Sequence, residues 1–306
     1  MKKTVQKTIG TLALAGLGLG LATTGMTQGT TATAPTADKP AAAKMAAPAK
    51  STSGAIPRVG GHPNFSGVWS VMNSANWDVE PHPARAGLEL RAGPVVPVPA
   101  KAILALGAVG SVPAGMGVVE GGPIPYTPDA LATRQENRTH YLERDPEIKC
   151  DLPGVPRANY MSLPFQILQS EKTFLISYEY DGAARNVLFK DPGPAPVPSW
   201  MGQSVGKWEG DTLVVTVTDQ NGETWFDRAG NFHSDGIKVV ERWKLTNPDT
   251  IRYEAEITDP TTFTRPWKMS MNIYRHLDED ARLQQFKCVE FVEELMYGDL
   301  RKEPLK

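Results

Sequence analysis

Between Ile237 and Arg275 the chain alternates apolar and polar residues with a period of two through three successive segments. The odd positions Ile237, Val239, Trp243 and Leu245, then Ile251, Tyr253, Ala255 and Ile257, then Trp267, Met269, Met271 and Ile273 are apolar. The positions between them, such as Lys238, Arg242, Lys244, Arg252, Glu254, Glu256 and Lys268, are mostly charged. This period predicts half-buried strands, each with one wet and one dry face. Asn247-Pro248-Asp249 and Asp259-Pro260 supply the turns between them. Asp259 and Arg275 occupy the dry parity at strand ends, but Glu241 occupies it in mid-strand. A carboxylate there is costly unless it is paired, protonated or put to use.

The same reading extends upstream. Phe174, Ile176, Tyr178 and Tyr180 line one face of a strand that turns at Asp181-Gly182 into Arg185, Val187 and Phe189. Residues 204–208 and 212–218 flank Glu209-Gly210-Asp211, a hairpin signal, and Asn221-Gly222 marks the next turn. A last strand is expected over 283–292. Thr127-Pro128-Asp129 starts a charged helix running to about Glu143. The stretch 81–125 is rich in Gly and Pro around a small apolar core, 103–109, which reads as a short helix or lid, or as an insertion packed by its own side chains. Residues 64–70 form an opening strand whose Gly67-Val68-Trp69 resembles the start of lipocalin-like barrels. The expected fold is all-β: a closed or nearly closed antiparallel meander barrel, lipocalin-like, with a short helix and the Gly/Pro-rich insertion. A two-sheet sandwich is the alternative. A barrel of this size can hold one small ligand, so the inward Met and aromatic stripe reads either as ordinary core packing or as a pocket wall.

The ends set the compartment. Met1-Lys2-Lys3, Lys7 and the small apolar run 9–22 match a secretory signal peptide, with Ala32-Thr33-Ala34 as a cleavage point. Residues 1–34 are thus read as a signal, 35–57 as an Ala/Pro-rich linker and 58–306 as one barrel domain. The protein is expected to be periplasmic or secreted. The formal net charge is -2, and no basic stripe points to nucleic acid. No later apolar run is long enough to span a bilayer once the signal is removed. The two cysteines, Cys150 and Cys288, are read as one disulfide, the simplest state in an oxidising compartment. The five histidines show no H-x-H or H-E-x-x-H spacing, so no metal is signalled. No Gly-rich fingerprint joins a strand to a helix, so no nucleotide cofactor is signalled either, and none of any kind is expected.

Several stretches together form a fingerprint. Pro164-Phe165-Gln166-Ile167 with Tyr178-Glu179, the run Ser204-Val205-Gly206-Lys207-Trp208-Glu209-Gly210-Asp211-Thr212-Leu213-Val214-Val215, Trp225 to Gly230 followed by His233-Ser234, and Val240-Glu241-Arg242 resemble a family of uncharacterised secreted bacterial proteins. The resemblance covers about Arg138 to Cys288 and brings no activity with it.

Two constellations carry possible chemistry. Gly202-Gln203-Ser204-Val205-Gly206 matches G-x-S-x-G, but the nucleophile elbow needs a strand before it and a helix after it, and here a hairpin follows. The stronger candidate is composite. His233 lies in the loop 227–236, just before the strand of Glu241, with Trp225 and Asp227 upstream. If that loop folds over a cavity, Glu241, His233 and Asp227 form a set able to move protons without a cofactor. Tyr178, Tyr180, Trp225, Trp243 and Trp267 would then supply aromatic walls, and Arg185 and Arg275 would orient polar groups of a small apolar or aromatic ligand. The structural counterpart is an internal ion pair of Glu241 with Arg185 or Arg275, with His233 capping its own loop through Ser234 or Asp235. Three functions stay open: a barrel that binds a small molecule, a cofactor-independent isomerase, lyase or hydrolase on the same scaffold, and an interaction module tethered by the Ala/Pro linker that presents the Gly/Pro-rich insertion to a partner.

Overall fold

The alternating segments all become strands. A computed structural model of the chain describes residues 54–86, 111–292 and 295. Its main strands are β1 (Gly67–Val71), β2 (Phe165–Gln169), β3 (Phe174–Tyr178), β4 (Ala184–Leu188), β5 (Gln203–Glu209), β6 (Thr212–Thr218), β7 (Lys238–Asn247), β8 (Thr250–Thr258) and β9 (Trp267–Arg275). Each pairs with the next, and β9 pairs back onto β1, which closes a nine-stranded all-β, lipocalin-like barrel. Closure leaves no strand of the ring with a free edge. The short strand Val119–Glu120 also adds to β9, at Lys268 and Met269.

The odd parity of β7, β8 and β9 faces inward as expected: Val239, Trp243, Ile251, Tyr253, Ile257, Met269 and Ile273 are inaccessible to solvent. Their cross-strand register stacks Val215, Glu241, Ala255 and Met269 in one row and Trp243, Tyr253 and Met271 in the next. Trp69, Phe165, Ile167, Phe174 and Ile176 fill the interior from the other side of the ring.

One pairing departs from the antiparallel meander. β4 and β5 run parallel, joined at only two positions, Ser204 opposite Val187 and Val205 opposite Leu188. The Pro-rich connection 189–202 makes this possible by carrying the chain back before β5 begins. Gly206 allows the close approach across this seam, since a Cβ there would lie 2.5 Å from Val187 Cγ1.

The expected helix forms as α1 (Pro128–Thr139), capped by the Thr127 side chain accepting from Ala130 N, and a separate turn α2 (Tyr141–Arg144) beyond His140. The strand expected over 283–292 does not form. The ring already closes through β9, so this tail is held instead by the Cys150–Cys288 disulfide, by Phe291 N donating to Ile148 O at 2.8 Å, by Gln284 N donating to the Glu179 carboxylate at 2.7 Å and by the stacking of Phe286 on Tyr180. Of the 81–125 stretch, Arg85–Ala86 pairs with Ser111–Val112, and His82 bridges to Gly115. The 103–109 core, the signal segment and residues 35–53 of the linker lie outside the described residues. The described residues belong to one compact unit, Ser51–Lys306. Among them no helix is long and apolar enough to cross a membrane, and the disulfide is compatible with an extracytoplasmic protein.

Candidate functional site

Glu241 is fully buried and hydrogen-bonded on both oxygens. Oε2 accepts from Arg185 Nη2, while Oε1 accepts from Arg185 Nη1 at 3.1 Å, Asn159 Nδ2 at 2.9 Å and the Tyr253 hydroxyl at 2.8 Å. β7 and β8 present Glu241 and Tyr253 to the interior by parity, β4 presents Arg185, and a buried turn at Arg157–Tyr160 carries Asn159 in. The set extends at both ends: Tyr178 donates to Asn159 Oδ1 at 2.8 Å, and Arg185 Nε donates to Ser204 Oγ at 2.7 Å. Burial disfavours the Arg185 charge, but Glu241 overcomes this and holds the guanidinium above its usual value. Burial pushes the Tyr178 phenol up to about 12 and raises that of Tyr253 well above its usual value, with Glu241 adding to both. Such a network orders the barrel interior and keeps both charges compensated.

The other expected acid/base groups belong to separate networks. His233 donates through Nδ1 to the carbonyl of its neighbour Ser234 at 2.8 Å and accepts at Nε2 from the Thr224 hydroxyl at 2.6 Å. That pattern fits the neutral ring, and burial holds its pKa below the usual imidazole value. The bond to Ser234 is the local cap that the sequence suggested. Asp227 accepts from Val79 N, Ala229 N, Asn231 N and Asn231 Nδ2 at 2.6 to 3.2 Å. Burial and the nearby Asp78 carboxylate push its carboxyl up to about 7 against those bonds. No hydrogen bond joins Glu241 to His233 or Asp227.

The expected aromatic walls divide as well. Trp243 packs edge-on against Phe165 and Tyr253 in the core, and Trp267 packs against Phe226 and Phe263. Their indole N–H groups are the two buried side-chain polar atoms without a partner among the described residues. Trp225 lies on the loop side, bridging to Phe232. Tyr180 leaves the barrel face, because β3 ends at Tyr178 and the chain turns at once. Tyr180 instead stacks on Phe286 under the C-terminal tail. Arg275 clamps the rim, donating to the carbonyls of Pro248 and Ser66 while lying 4.2 Å over the Trp69 ring.

A second buried charge cluster was invisible in the sequence. Arg157 donates to Asp145 at 2.9 and 3.3 Å, to Glu147 at 2.7 Å and to Asn76 at 2.9 Å, and Arg228 donates twice to Glu147. Burial alone would raise the Glu147 carboxyl, but Arg228 and Arg157 overcome it and hold it down at about 2. The cluster anchors the loop after β1, since Asn76 also accepts through its carbonyl from Arg228 N at 3.0 Å.

That loop forms one wall of a cleft of about 650 Å³, and residues 113–118 from the end of the insertion form the other. Met72 and Met116 line it and are 83 % and 93 % exposed, with Trp77, Ala75 and Val118 also on its walls. Asn73 and Ser74 are its polar side chains. None of the expected ligand-binding residues lines this cleft. Its sequence signal was two methionines with no periodicity around them. Ser204 sits on β5 as an acceptor for Arg185, not at a strand-to-helix elbow, and Gly202 adopts φ +62° with Thr218 O 2.5 Å from where its Cβ would be. Among the described residues no group of three or more His, Cys, Asp or Glu is placed to hold a metal. No family model, curated protein or solved structure matches this chain.

Proposed function

We propose that this protein is an exported lipocalin-like barrel that binds a small apolar or aromatic molecule, seated in the cleft between residues 72–77 and 113–118 and not inside the barrel. The observation that carries this is the pair Met72 and Met116, two large apolar side chains left almost fully exposed on the walls of one 650 Å³ hollow. Cavities of this size suit small ligands, and flexible thioethers mould to varied apolar shapes. The barrel interior supports a placement outside it, because Trp69, Trp243, Tyr253, Phe165 and Phe174 occupy it. The secretory N-terminus, the disulfide and the resemblance to secreted bacterial proteins support export. The acid/base alternative through Glu241 has less support, because protein donors already fill both of its oxygens.

The test is fluorescence titration with a panel of aromatic metabolites and with anilinonaphthalene sulfonate, comparing wild type with Met72→Glu and Met116→Glu. Either charge should weaken binding at least tenfold while leaving the melting temperature within a few degrees. Binding that is indifferent to both substitutions refutes the placement.

A further inference from the structure

His82 stands at the foot of the cleft's outer wall, and its ring meets two backbone carbonyls. Nδ1 is 2.8 Å from the oxygen of Glu80, and Nε2 is 2.9 Å from that of Pro113. A carbonyl oxygen only accepts, and a neutral imidazole has one N–H to give. The imidazolium, with a proton on each nitrogen, makes both bonds. A neutral ring sets a nitrogen lone pair against an oxygen lone pair at one of the two contacts. His233 shows the contrast: one nitrogen meets a carbonyl and the other a hydroxyl able to donate, which a single neutral tautomer satisfies.

These bonds hold the wall itself. Pro113 opens the segment 113–118 that lines the cleft. The backbones of His82 and Gly115 exchange hydrogen bonds at 2.9 and 3.0 Å, and Val118 N donates to Val79 O at 2.8 Å. A Cβ on Gly115 would fall 2.5 Å from His82 Cε1 and 2.2 Å from Ser74 Oγ, so the wall is drawn tight against both the ring and the opposite loop. The charged groups of the same segment are engaged elsewhere. The Glu80 carboxylate accepts from Ile124 N and Arg134, and Asp78 accepts from Glu80 N. Arg85 adds a like charge on the strand that pairs with Ser111–Val112.

We infer that His82 is a proton-dependent pin for the cleft. Doubly protonated, it ties the 113–118 wall to residues 80–82; with one proton lost, one of the two carbonyl bonds goes and the wall loosens. The inference rests on the cleft being the binding site, and on it ligand affinity rises as the ring gains its second proton.

The test uses the full chain and His82→Gln, whose amide donates but does not titrate. Nitrogen NMR counts the protons on the ring across pH, amide exchange at Gly115, corrected for intrinsic rates, reports the wall, and anilinonaphthalene sulfonate reports affinity. In wild type, Gly115 protection and probe affinity should both fall about tenfold as the ring passes from two protons to one, roughly the worth of one charge-assisted bond. Both should be insensitive to that step in His82→Gln. The pin is overturned if the ring carries a single proton at every pH at which the chain is folded, or if Gly115 protection has the same pH profile in both proteins. If the probe binds nowhere in the cleft while Gly115 protection still tracks the ring, the pin stands and the ligand assignment falls.

Discussion

Replacing Glu241 by Gln removes the charge opposite Arg185 while keeping the shape. The Arg185 and Glu241 side chains are 2 % and 0 % exposed, so water compensates little for an unpaired guanidinium. The Gln amide also cannot satisfy the site in either orientation. Its NH₂ faces either Arg185 Nη2 or the Nδ2 of Asn159, a donor against a donor in both cases. Removing one member of a buried ion pair costs about 3–5 kcal/mol. For a domain of this size that corresponds to a fall of roughly 6–20 °C in Tm, taking about 2–4 °C per kcal/mol. Denaturant unfolding followed by tryptophan fluorescence measures it, with a double-mutant cycle against Arg185→Met. The double variant Arg185→Met with Glu241→Leu should lose less than either Arg185→Met or Glu241→Leu alone, because neither charge is then left unpaired. A loss below about 1 kcal/mol for Glu241→Gln, or additive singles in the cycle, would refute the claim that this pair is sealed in the core. Ligand-induced stabilisation should be unchanged, since the pair lies away from the cleft walls.

Glu147, held at about 2 in the folded state, contributes stability present above its unfolded value and lost as pH falls from about 4.5 toward 2. In Glu147→Gln the pH dependence of unfolding free energy over that window should flatten by on the order of 3 kcal/mol, and an unchanged slope would contradict it. Breaking the Cys150–Cys288 disulfide, whose cysteines are 138 residues apart, should destabilise the chain by up to about 5 kcal/mol, read as a lower melting temperature of Cys288→Ala or of wild type in reductant. Ser204→Ala leaves Arg185 Nε unsatisfied and should cost about 1–3 kcal/mol, while wild-type Ser204 should resist fluorophosphonate labelling because its neighbour donates to it and no base faces it. Labelling at Ser204 would reopen the hydrolase assignment.

The barrel was legible because its strands are half wet: Lys238, Arg242, Lys244, Arg252, Glu254, Glu256 and Lys268 share one parity while the other is almost wholly apolar, which leaves little choice of face. The direction of pairing was not, since a period of two is the same for parallel and antiparallel neighbours, and β4 with β5 took the former. The Glu241 pair with Arg185 was among the alternatives that parity allowed. Its remaining partners were hidden for different reasons. Tyr253 reads as an ordinary core aromatic until its hydroxyl is placed, and Asn159 comes from a Pro-rich stretch with no period at all. His233 and Asp227 stand close to Glu241 along the chain, yet each is consumed by bonds elsewhere: His233 by Ser234 and Thr224, Asp227 by Ala229, Asn231 and Val79. The cleft escaped notice because nothing in the sequence around Met72 and Met116 says that two distant loops will face each other.

The closure of the ring imposes an order of events on the newly made chain. β1 pairs with β9 between Trp69 and Arg275, and with β2 between Trp69 and Phe165. Strands β2 to β9 follow one another closely and can zip from neighbour to neighbour as the chain emerges, but the first stave has no partner on one side until the last has been delivered. The largest loop-closure entropy therefore falls on a single late step. Until then Gly67–Val71 stands as an apolar edge open to other chains. For a protein threaded out N-terminus first, the hazard of misassembly is concentrated at its beginning and removed only by its end.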